Sequence, residues 1–132
     1  MKKAVVFLLT LCMVFALCGC GEKGPSEYEQ VESALQGAYS FQWYATYIQR
    51  NCYVGYQFTS GAFEYVNNSA VIAQGRGVYT ISTEDKTITC HFSYYLDDDG
   101  TRTKNDVVFT YELKDNGELV LKDSSNTYTK ER

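Results

Sequence analysis

From Ala38 to the end of the chain, apolar and polar residues alternate with a period of two, in short runs broken by turn-forming clusters. That period places successive side chains on opposite faces of a strand, so the run from Ala38 onward reads as all-β. "AYSFQWY" puts Tyr39, Phe41 and Trp43 on one face, and "CYVGYQF" does the same for Cys52, Val54, Tyr56 and Phe58. "TSG" makes a tight hairpin into "AFEYV", with Phe63 and Tyr65 inward. In "AVIAQGRGVYTIS" Tyr79 and Ile81 face in, and the glycines at 75 and 77 suggest a bulge or sharp bend. "TITCHFSYYL" places Ile88, Cys90, Phe92, Tyr94 and Leu96 inward and leaves Thr89, His91, Ser93 and Tyr95 outward. Val107, Phe109, Tyr111 and Leu113, then Leu119, Leu121 and Tyr128, complete the inward set. About eight short antiparallel strands joined by tight turns, with no long crossover, predict an up-and-down meander that closes into a barrel and so hides its edges.

One short helix precedes the strands. Ser26 with Glu29 three residues on forms a capping box, and Gly37 can end the helix in a left-handed conformation. The expected helix runs from about Ser26 to Gln36, with Tyr28, Val31 and Leu35 as its apolar side.

The first residues have a different character. Met1-Lys2-Lys3 leads into an apolar run from Ala4 to Leu17, which as a helix would span about 21 Å against a hydrocarbon core of about 30 Å. A positive start, a short apolar middle and a small residue before a break make a secretory signal peptide, here residues 1–19. "LCGC", Leu17 to Cys20, resembles the lipobox of bacterial lipoproteins. Cys20 fits the pattern because Gly19 precedes it, whereas Cys18 follows the bulky Leu17. The resemblance implies that Cys20 carries a diacylglyceryl thioether and becomes the mature N-terminus, followed by a short linker to Pro25. Two acyl chains suffice for stable anchoring at about 0.8 kcal/mol per buried methylene. The expected location is the extracytoplasmic face of the cell membrane, with residues 26–132 as the single β domain.

Cleavage removes two of the 12 basic residues and none of the 16 acids. An acidic chain with no basic stripe is a poor nucleic-acid partner, so attachment to the membrane rests on the lipid.

Three short motifs sharpen the barrel expectation: "LQGAY" from Leu35, "GVYTI" from Gly77 and "LVLKDSSNTY" from Leu119. Their arrangement resembles the lipocalin-like domains of small bacterial lipoproteins, which implies a β-barrel behind a leader helix and says little about a ligand.

A buried tyrosine hydroxyl needs a partner, so the many inward tyrosines hint at a wet or ligand-contacting interior. Trp43, Tyr56, Tyr79, Tyr94 and Tyr111 are the candidate contacts for a small apolar or sugar-like ligand. The other reading is a filled core, with exposed Tyr44, Tyr47, Tyr53 and Tyr95 recognising another envelope protein. Cys52 and Cys90 share inward parity, which permits a disulfide in an oxidising compartment; otherwise they are small core residues. The lone His91 sits outward beside Cys90, and adjacent strand residues face opposite ways, so the two cannot form a nucleophile and base. Asp97, Asp98 and Asp99 are consecutive, which does not match the alternate spacing of calcium loops. Neither an enzymatic activity, a cofactor nor a metal is expected.

Overall fold

A computed structural model describes residues 24–131. The expected signal peptide, residues 1–19, and Cys20 lie outside the described residues. Helix α1 (Glu27–Leu35) is followed by β1 (Gly37–Ala45), β2 (Arg50–Thr59), β3 (Ala62–Asn68), β4 (Ile72–Ser82), β5 (Thr87–Asp97), β6 (Val107–Leu113), β7 (Leu119–Lys122) and β8 (Thr127–Lys130). Each strand pairs antiparallel with the next, and β8 returns to β1, closing an up-and-down barrel in the order expected from the alternation.

The local signals act as anticipated. Ser26 Oγ accepts the Glu29 amide at 3.2 Å, and Gly37, at φ 123°, turns the chain out of the helix. Ser60 and Gly61 both adopt positive φ between the paired Thr59 and Ala62, the two-residue turn that matches strand twist. Val31 and Leu35 are fully buried, each contributing roughly 1.5–3 kcal/mol. Tyr28 is 51% exposed, contrary to expectation. At 100° per residue it shares the angular position of Leu35, so its exposure reflects its place along the helix axis, in the first turn.

The register contains one shift, and it changes which residues are inside. Gly77 faces Phe92, but Arg76 faces Tyr94, so Ser93 is an extra residue in β5. A bulge reverses the inward parity beyond it. Tyr94 therefore points outward, 38% exposed, and Tyr95 is buried. The glycines did mark the irregularity. A Cβ on Gly77 would collide with the His91 carbonyl oxygen, and one on Gly75 would lie 2.9 Å from the Phe92 ring.

Aromatic rings fill the lumen. Tyr56 lies at 5.0–6.1 Å between ring centroids from Phe58, Phe63, Tyr65, Phe109 and Tyr128, mostly edge-on or tilted. Such pairs add about 0.5–1.5 kcal/mol each beyond area burial. Cys52 and Cys90 are both free thiols in this packing, so the permitted disulfide is not formed. Parity placed both inside, but β3 and β4 separate their strands around the wall. Burial raises the Cys90 thiol pKa to about 12, which keeps it protonated and inert.

Candidate functional site at the open end of the barrel

The two ends of the barrel are built differently. At one end α1 is a cap, tied down by tyrosine hydroxyls. Tyr79 donates to Glu32 at 2.9 Å and accepts from Gln36 Nε2 at 3.1 Å and the Gly61 amide at 3.0 Å. Gln36 Oε1 accepts the Ser60 amide, linking helix end to hairpin turn. Tyr39 donates to the Ala34 carbonyl, and Tyr111 to Glu27, which also pairs with Lys86. Burial, then the Glu118 charge, raises the Tyr39 pKa to about 12.

The other end has no helix across it and an uneven rim. β5 pairs with β6 only from Thr87 to Cys90, and β1 pairs with β8 only at Tyr39 and Ser40. The hairpins β1–β2 and β4–β5 therefore rise above the short wall of β6–β8. The upper inner face of that tall wall carries Phe41, Trp43, Val54 and Phe92, all half-buried, together with buried Tyr65 and Tyr95. Phe41 and Trp43 stack at 5.0 Å with 23° between planes. Tyr44 and Tyr47, 58% and 70% exposed, stand at the same rim.

Loop residues 98–106 close part of the notch. Asp97 organises the loop, accepting the amides of Asp99 and Thr101 and the Tyr95 hydroxyl. Burial, then Asp97, raises the Tyr95 pKa to about 12. His91 Nδ1 meets Asp106 at 2.7 Å, a contact the sequence did not reveal because the partner lies in the loop. Lys104 Nζ sits 5.5 Å from the Tyr95 ring centroid and 5.9 Å from that of Tyr65. The side-chain oxygens of Asp97, Asp98 and Asp99 lie within 4.8 Å of one another, with Asp97 already engaged by the loop's own amides.

The five candidate ligand contacts consequently separate. Tyr79 and Tyr111 spend their hydroxyls on the helix, and Tyr94 is outside over Arg76 at 4.9 Å. Tyr56 is buried among rings. Trp43 alone lines the open rim. Among the four residues expected for protein recognition, Tyr44 and Tyr47 are exposed, Tyr95 is buried, and Tyr53 lies half-buried across Gly55, where a Cβ would collide with its ring. Two shallow depressions over β3–β5, one beside Arg76 and Tyr94 and one beside Gly77 and Val78, are on the outer wall.

The arrangement defines a closed, eight-stranded up-and-down barrel with a ring-filled lumen and an aromatic rim at one end. No protein-family model matches the chain, and neither the curated proteins nor the solved structures compared with it give a significant match.

Proposed function

We propose that the protein is a non-enzymatic binding protein, anchored through Cys20 at the extracytoplasmic face of the membrane, that engages its ligand at the open rim and not in the lumen. The carrying observation is the concentration of half-buried and exposed rings at the uncapped end, with Trp43 stacked on Phe41 as a platform suited to a small apolar or sugar-like molecule. The tether is consistent with this. From Gly21 to Pro25 the chain reaches at most about 18 Å, and it enters the domain at the helix-capped end, so the rim faces away from the membrane.

A second reading has its own support in Tyr44 and Tyr47, whose exposure on the same rim suits an envelope protein partner. Two experiments test the proposal. Cys20→Ser is expected to move the protein from the membrane to the soluble fraction, and Cys18→Ser to leave it on the membrane; retention of the Cys20→Ser chain on the membrane overturns the anchor. Native mass spectrometry of the gently purified lipoprotein is expected to reveal a bound molecule that is lost on denaturation and absent from Trp43→Ala. An adduct that Trp43→Ala retains in full overturns the rim reading in favour of another site.

A further inference from the structure

The rim contains a smaller constellation with a chemistry of its own. Gly75 of β4 faces Tyr65 on one side and Tyr95 on the other. With no side chain between them, the two rings stand 6.3 Å apart, tilted by 30°. Phe92 closes the group, edge-on to Tyr65 at 5.4 Å and to Tyr95 at 5.9 Å. The Phe92 ring takes up the space that a side chain at Gly75 would need, a Cβ there lying 2.9 Å from it, and so packs the three rings together. The Lys104 ammonium lies over two of them.

Ring faces are electron-rich, and a cation within about 6 Å of a centroid is attracted to them, more strongly when desolvated. Tyr65 and Tyr95 are 5% and 9% exposed, so the rings are held in place before any ligand arrives. The loop adds a negative field, since Asp97, Asp98, Asp99 and Asp106 outnumber Arg102 and Lys104. This field and these ring faces both favour a cation, and the chain supplies one from its own loop.

We propose that Tyr65, Tyr95 and Phe92 form a binding site for an alkylammonium group, which Lys104 occupies in cis until a ligand displaces it. The inference rests on the rim reading for its location. An alkylammonium could belong to a free small molecule or to a choline lipid headgroup; with the rim turned away from the anchoring membrane, the free molecule is the one the geometry favours.

The test uses the full lipidated chain in a non-ionic detergent, titrated with n-butylammonium chloride and with choline chloride against sodium chloride at matched ionic strength. The readout is the NMR shift of the Tyr65, Phe92 and Tyr95 ring protons. Lys104→Ala is expected to bind saturably and at least tenfold more tightly than the wild-type chain, because the internal competitor is gone. Lys104→Gln, which keeps most of the side-chain length, should behave alike, and Tyr95→Leu added to Lys104→Ala should abolish the response. Absence of saturable shifts in both Lys104 variants, equal affinity in variant and wild type, or shifts that survive Tyr95→Leu each overturn the proposal. In the same titration, tighter saturable binding of glycerophosphocholine than of choline by Lys104→Ala would assign the group to a lipid headgroup; choline or butylammonium binding with no response to glycerophosphocholine assigns it to a free molecule. Trp43 is not one of the three rings, so Trp43→Ala should leave the butylammonium response intact. Loss of the native-mass adduct alone therefore reports on the rim reading, and loss of the ammonium response alone reports on this site.

Discussion

Tyrosine does different work at the two ends of this barrel. At the capped end the hydroxyls of Tyr39, Tyr79 and Tyr111 are hydrogen-bonded to helix carbonyl or carboxylate oxygens, and their rings serve as pillars under α1. At the open end Tyr65 and Tyr95 are held by Asn67 and Asp97 at the rim, Tyr128 by Asp123, and their ring faces make the inner surface. The capped end spends polar groups on closing itself; the open end leaves aromatic faces uncapped. An inward tyrosine is therefore not evidence of a wet lumen, because the hydroxyl can reach past the core to whichever end it approaches.

The comparison can be broken in several places. The largest effect is expected from alkali. Burial raises the pKa of Tyr39, Tyr56, Tyr65 and Tyr128 as well as Tyr95, with Tyr39 and Tyr95 at about 12 against 10.0 in the unfolded chain. The folded state thus holds these protons more tightly, so stability is intact below pH 10 and is lost as pH rises through about 12. Absorbance at 295 nm and near-ultraviolet circular dichroism should change together in one transition; phenolate formation at the buried tyrosines before any loss of near-ultraviolet signal would contradict the filled core.

Phe109→Ala should come next, at about 3–5 kcal/mol by urea unfolding, since it empties a fully buried ring position against Tyr56 and Tyr128. A cost below about 1 kcal/mol would mean that the lumen is looser than its ring contacts imply. Tyr79→Phe should cost about 1–3 kcal/mol, because the Gly61 amide and Gln36 lose an acceptor. Ser26→Ala should lower stability by about 1 kcal/mol through loss of the helix cap. The smallest change is expected from Tyr56→Phe, within about 0.5 kcal/mol, since the ring keeps its contacts with Phe63, Tyr65 and Phe109. If Tyr56→Phe proved as costly as Tyr79→Phe, the distinction between the ends would fail.

Much of the fold was legible in the alternation. Every inward residue named for β1 to β4 lies on the inner wall, because parity needs only neighbouring residues and an unbroken strand. The candidate site was less legible. Tyr94 and Tyr95 exchanged faces through one extra residue, Ser93, and although Gly75 and Gly77 announced an irregularity, nothing local said which strand would carry it. The hydroxyl partners of Tyr79 and Tyr111, 47 and 84 residues away in sequence, leave no local trace.

By itself, the sequence determined the strand count, the antiparallel order, the capped helix and the acidic charge, since periodicity, turn chemistry and capping are short-range properties. Only the tertiary structure decided that the lumen is filled, that the rim is uneven and that Lys104 lies over Tyr65 and Tyr95. Those features depend on strand register and on loop placement across the barrel, where groups distant in sequence compete for the same space.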